Sequence, residues 1–277
     1  MKRAFSLLVI LFLTSSTTQN PPIQILQINA EWNQHHDVSL KIPKDYKGYR
    51  ITVDYALLEN QGPGFKKSFA QIIGRFKQWN ISELHTFEKK IYKVKGNWKL
   101  VIQNYCECYH CPILHPDLAA IHNYMSGKND LFEGAFLGGY MEFNKNKNSI
   151  TESGELCCPI LPGITNENEN RVYYYSIFPN MLLSLHPEYV MFHTVWPDGN
   201  KKSIVECSWL FEKDVINSNK YHPKNAVEFW DMTNKQDWHI SELSQLGIQS
   251  KKYTPAPYSG QESLLAAFDS YYLEQFK

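Results

Sequence analysis

Between Asn104 and Pro116 the chain reads Asn-Tyr-Cys-Glu-Cys-Tyr-His-Cys-Pro-Ile-Leu-His-Pro, which crowds three cysteines, one acid and two imidazoles into one short segment. Those are the side chains that hold transition metals. His110 and His115 together with one carboxylate from elsewhere would form the two-histidine, one-carboxylate set that holds iron(II) on one triangular face, leaving positions for dioxygen and substrate. Cys106, Cys108, Cys111 and His110 offer a different reading, a zinc site, although their spacings are irregular for a zinc knuckle.

Spacing constrains how these residues meet. Glu107 and His110 are three apart and are neighbours on a helix. His110 and His115 are five apart, roughly 140° around an ideal helix, so a straight helix would point them apart. Pro112 lies between them and predicts a kink or an end to the helix, a bend that permits both imidazoles to converge. The carboxylate comes from a helix predicted to start at Pro223 and stop at Gly247. There Trp230, Thr233, Asp237, Ile240 and Ser244 share one stripe, and Glu228, Asp231, Lys235 and Glu242 another. Asp237 thus falls on the more apolar face, where a charge is costly unless paired or bound to a metal. An ordinary ion pair with a lysine is the alternative for Asp237, as a packed core site is for His186. His239 lies off the Asp237 face and reads as exposed or structural.

The elements that must position these residues follow from pattern and punctuation. Tyr49–Leu57 and Phe87–Val94 read as strands, and Phe65–Trp79 has helical spacing at Phe69, Ile72, Ile73 and Phe76. Trp98–Leu114 reads as a helix with Asn97 as its N-cap. Gly127–Asn168, rich in glycine and asparagine, reads as short strands and mobile loops. Val172–Phe178, Tyr189–Trp196 and Ser203–Phe211 read as strands, with a hairpin signal at Pro197-Asp198-Gly199. Ser259–Glu262 has capping-box spacing before a final helix through Tyr272. Strands followed by long helices, without βαβ alternation, predict an α+β fold with an antiparallel sheet.

Composition narrows the class. Lysine plus arginine equals aspartate plus glutamate at 28 each, which argues against nucleic acid as the main partner. Aromatics make up 14% of the residues, enough to line a core or a pocket. Tyr173, Tyr175, Phe178 and Phe192 are candidates for such a pocket wall, but each reads as ordinary core. Residues 1–19, with Met1-Lys2-Arg3 before an apolar run, look like a secretory leader, and residues 20–64 like a linker or remnant. Of the six cysteines, five are clustered at 106–111 and at 157–158, which instead suggests unpaired thiols in a reducing compartment.

Four segments together resemble one family. Asn97–Pro116, Phe178–Pro187, Phe229–Trp238 and Tyr253–Ser263 are similar to the catalytic domain of Rieske-type ring-hydroxylating oxygenase α subunits, over residues 65–277. The similarity looks strongest to the branch that oxidises N-methyl groups of quaternary ammonium compounds such as glycine betaine. It implies a helix-grip fold, a twisted antiparallel sheet around a long C-terminal helix. It also implies Fe(2+) held by His110, His115 and Asp237, and a cytoplasmic homotrimer acting on O2 and a small molecule. Glu107 falls on the acid that bridges to a histidine ligand of a neighbouring subunit's [2Fe-2S] cluster. One departure stands out. A Rieske centre needs Cys-x-His and then Cys-x2-His, but no cysteine precedes residue 97, and no Cys-x2-His follows Cys108-Tyr-His110. The cluster ligands are therefore expected outside this sequence, on a separate Rieske protein served by a reductase or in a longer gene of which this is a fragment.

Overall fold

The computed structural model describes residues 5–11, 27–30, 53–58 and 69–275. The chain divides into two compact units, Met1–Ala70 and Gln71–Lys277. In the first, strands β1 (Phe5–Leu11), β2 (Gln27–Ala30) and β3 (Val53–Leu58) form an antiparallel sheet in the order β2-β1-β3. The apolar stretch of the leader-like start is its central strand.

The second unit is built on seven antiparallel strands: β4 (His85–Val94), β5 (His122–Glu133), β6 (Phe136–Phe143), β7 (Arg171–Ile177), β8 (Met181–Leu185), β9 (Val190–Pro197) and β10 (Ser203–Phe211). Their order is β4-β10-β9-β8-β7-β6-β5, so all neighbours except β4 and β10 are consecutive in sequence. The turn after β9 is the hairpin predicted at Pro197-Asp198-Gly199, with Gly199 at φ +73° and Asp198 N donating to Lys202 O at 2.9 Å. Helices α1 (Trp98–Tyr105), α2 (Cys111–Leu114) and α3 (Pro116–Ile121) lie between β4 and β5, and α4 (Lys213–Ile216), α5 (Lys224–Ile248) and α6 (Ser263–Glu274) follow the sheet. This is the α+β helix-grip arrangement that the sequence implies.

The 25-residue α5 is the spine of the packing. Ala226, Val227, Phe229 and Trp230 join one core cluster with Tyr189, Met191, Trp209 and Phe211, and Trp238 joins a second with Val101, Ile102, Leu182, Leu264 and Phe268. Each large apolar side chain buried in this way contributes roughly 1.5–3 kcal/mol. On the outer side Asp231 ties α5 to β4, accepting from Tyr92 Oη at 2.7 Å and pairing with Lys90 Nζ at 2.9 Å. Burial opposes its ionisation, but Lys235, Lys90 and Tyr92 prevail and bring its pKa down to about 2.

The element expected over Phe65–Trp79 differs. From residue 69 the segment expected to be helical runs as turns and a 3-10 turn at Lys77–Trp79, because Gly74 adopts φ +78° and interrupts any helical run. Residues 65–68 lie outside the described set, as do 49–52 of the first expected strand. The Gly127–Asn168 stretch supplies the second half of β5 and all of β6 and then runs as loops and turns from residue 144, as expected; β6 is held in register by pairing with β7.

Candidate metal centre

The histidines are placed by a broken helix. Asn97 Oδ1 accepts from Lys99 N at 3.1 Å and caps α1, which ends at Tyr105. Helical structure resumes at Cys111 with Pro112 in the first turn, where its missing N–H has no partner to lose. In one continuous helix that ring would strike the carbonyl of Cys108. The interruption therefore falls over residues 106–110, ahead of the proline, and not at the proline as its position suggests. His110 stands at the start of α2 and His115 at the junction of α2 and α3.

The bend turns both rings towards α5. His110 and His115 ring centroids are 5.1 Å apart at 75°. Asp237 Oδ1 lies 2.9 Å from His115 Nε2 and 3.4 Å from His110 Nε2. One donor atom from each of the three residues lies within 4.8 Å of the others, the only such histidine, cysteine or acid cluster found among the described residues. The far side of each ring is also held. His115 Nδ1 is 2.6 Å from Gln236 Oε1, and His110 Nδ1 contacts Glu107 Oε1. Acceptors on both Nδ1 atoms fix the tautomer that leaves Nε2 facing Asp237. Asn104 Nδ2 donates to Asp237 Oδ1 at 2.7 Å. Glu107 Oε2 also accepts from the backbone N–H groups of Tyr109 and His110, so this acid braces the bend itself.

The electrostatics follow from that geometry. Burial works against protonation of His110, but its hydrogen bonds to Asp237 and Glu107 outweigh it and raise the pKa to about 9. His115 is raised for the same reason, by Asp237 against burial. Burial would push Asp237 up, yet the two imidazoles bring it down to about 2. The residues fit a divalent cation of intermediate softness: two imidazole nitrogens, one anionic oxygen and held second partners. They do not fit a Rieske cluster. Cys108 and Cys111 are joined in a disulfide, and Cys106, Cys157, Cys158 and Cys207 are buried single thiols. The same disulfide removes the zinc reading of Cys106, Cys108, Cys111 and His110, and corrects the expectation that all six cysteines are unpaired.

The three residues open on a cavity of about 100 Å³ lined by Tyr105, Leu118, His122, Leu137, Tyr174 and Trp230, among others. That is small beside the ~300–1,000 Å³ of sites for drug-sized ligands. The aromatics singled out in the sequence do not line it. Tyr173 and Tyr175 are on β7 facing away from Tyr174, stacked on each other at 6.3 Å, and Phe178 packs on Phe268 and Tyr271. His186 is wholly buried and stacked on Tyr189 at 4.0 Å, a core residue, and His239 is exposed. His122, by contrast, is a lining residue that the sequence does not mark. Burial lowers its pKa to about 4, and its Nδ1 lies 3.5 Å from Tyr174 Oη. Gln236, Asn104 and Tyr174 were equally unmarked, whereas Trp230 lies on the stripe predicted for Asp237. Only the i−1 position of Gln236 relative to Asp237 hinted at its role.

Comparison with known proteins bears on the family and the fold of the chain. The glycine betaine monooxygenase oxygenase subunit of Pseudomonas aeruginosa (strain UCBPP-PA14) is 28% identical over 192 residues, covering 59% of this chain and 45% of that protein. The subunit of the same name from Chromohalobacter salexigens is 23% identical over 236 residues, covering 74% and 52%. The chain thus spans about half the length of the curated relatives it matches. Among solved structures, a quaternary ammonium Rieske monooxygenase superposes with a TM-score of 0.63 at 16% identity, over 83% of this chain and 60% of that one. A naphthalene 1,2-dioxygenase from Rhodococcus sp. does so with 0.55 at 13%, over 83% and 64%. The family model described as ring hydroxylating alpha subunit (catalytic domain) matches residues 81–277, nearly all of the second unit, and the chain belongs to that family.

Proposed function

We propose that this chain is the catalytic part of a non-haem iron(II) oxygenase that uses O2 to hydroxylate a small organic substrate, aromatic or N-methylated. His110, His115 and Asp237 hold the ion. The observation that carries the reading is the approach of two Nε2 atoms to one Asp237 oxygen, with Glu107 and Gln236 behind the rings. Ferrous iron at such a face supplies dioxygen chemistry that side chains alone cannot.

The protein's own part is positioning and exclusion. Gln236 and Glu107 hold the imidazoles, and Asn104 holds the carboxylate. Leu118, Leu137 and Leu264 keep water from the reacting carbon, while Tyr174 and Trp230 offer ring faces to an aromatic or a methylammonium group. The names of the curated relatives favour an N-methyl group, in which case hydroxylation would be followed by loss of formaldehyde. Electrons would come from a Rieske centre and a reductase, since the cysteines described here do not form a cluster site. Glu107, beside the surface-exposed Tyr109, is the residue through which they would reach His110. A homotrimer is the assembly that the family resemblance favours.

Metal analysis tests the site. The protein should bind close to one iron per chain, and Asp237→Ala should lose it; equal iron in both would sink the assignment. Oxygen uptake that depends on substrate, with a Rieske donor and reductase added, then tests turnover. A non-catalytic relic that keeps the pocket is the second reading. It predicts bound metal or ligand with no uptake across a substrate panel.

A further inference from the structure

The bend that carries His110 contains a bond that metal ligation does not need. Cys108 and Cys111, with Cα atoms 4.9 Å apart, are joined by a disulfide that encloses Tyr109 and His110. Cys111 N donates to Cys108 O at 3.1 Å inside the same ring. A cross-link between residues three apart constrains the unfolded chain least of all, so general stabilisation is a poor reason for it. Its effect is local, on the backbone that aims one imidazole. The bond is also reachable. Cys108 is half-buried, Tyr109 and Ile113 beside it are 57% and 83% exposed, and both cysteines border the cavity. The other four cysteines are buried.

We propose that Cys108 and Cys111 are a reversible dithiol–disulfide couple that sets how well His110 is held for metal binding, the oxidised form holding it and the reduced form releasing it. This rests on the metal-site reading above. The chemistry is exchange with a small-molecule thiol. Its thiolate attacks Cys108 Sγ, the S–S bond breaks, and the electron pair leaves on Cys111 Sγ, which takes up a proton. A second small thiolate attacks the small-molecule sulfur of the mixed disulfide and releases Cys108 as a thiol. The protein gains two electrons and two protons, and two small thiols become one disulfide. The reverse reaction, with that small disulfide as oxidant, restores the bond.

Two measurements on the full chain test this. First, maleimide labelling under denaturing conditions, read by intact mass, should give four adducts before treatment with dithiothreitol and six after it. Second, anaerobic titration with Fe(II), after the reductant has been removed, should show the oxidised form binding about tenfold more tightly than the reduced form, the scale seen when a ligand's outer support is lost. Cys108→Ser and Cys111→Ser should match the reduced form and ignore dithiothreitol; should either fail to fold, reduction of the unmutated chain gives the same comparison. Six adducts without reductant would overturn the couple. A change from four to six with equal iron affinity would overturn its control of His110 while leaving the metal site standing. Absence of binding in both forms would overturn the metal site together with the switch.

Discussion

At the scale of single residues, a proton and a metal ion compete for the same nitrogen. Asp237 and Glu107 hold the His110 pKa near 9 against the opposing effect of burial, and His115 is raised as well. A cation must displace those protons to bind. The apparent Fe(II) affinity is therefore expected to rise from about pH 6 to about pH 9, because less proton remains to be expelled as pH increases. Titration across that range checks it, and a flat profile would mean that the imidazoles are not the ligands. That His110, His115 and Asp237 meet was permitted but not required by their types and spacing, and the family resemblance singled out the three together. The stripe predicted for Asp237 was only partly right: Ser244 is exposed, and the buried line runs through Trp230, Thr233, Trp238, Ser241 and Gln245 with Asp237 at its margin, 17% exposed at the side chain. Gln236, Asn104 and His122 were not legible, since each acts across elements whose approach only the fold fixes.

At the scale of elements, strands that carry their own alternation were readable and those that borrow order were not. β7, β9 and β10 are rich in β-branched and aromatic residues and appear close to their expected bounds. β8, Met-Leu-Leu-Ser-Leu, is a short apolar run without a period, and β5 is largely polar. The tightest spot is where β5, β6 and β7 meet. A Cβ on Gly138, at φ +146°, would lie 2.0 Å from Tyr174 O, and one on Gly139 would lie 1.9 Å from Lys128 O. Both are backbone atoms of neighbouring strands and cannot yield without opening the sheet beside the cavity. Gly139→Ala should cost about 2–3 kcal/mol, read from the urea midpoint; a midpoint equal to that of the unmutated chain would contradict the packing described.

At the scale of the whole molecule, stability should depend on pH through a buried acid outside the candidate metal cluster. Glu188 is buried against Ser149 and Cys157, and burial raises its pKa to about 8. The folded form therefore keeps a proton that the unfolded chain releases near its ordinary value of 4.5. The contribution of this group is fully present below that value, declines as pH rises, and is lost by about pH 8. Glu188→Gln should remove the decline, so its thermal midpoint should gain on the unmutated chain between about pH 5 and pH 8, by an amount worth a few kcal/mol. Parallel curves would refute the burial argument. The architecture was readable because class depends on the order of periodic segments, whereas the break ahead of Pro112 depends on a clash that appears only once a helix is built. The contact of His115 with Asp237 joins points 122 residues apart along the chain. In polymer terms it is a clasp across nearly the whole contour of the sheet, and the penalty for closing a circuit grows only slowly with its length. Whatever occupies the clasp, proton or metal, thus helps to hold the first and last thirds of the catalytic unit together, so ligand loss there should register as a loosening far beyond the cavity.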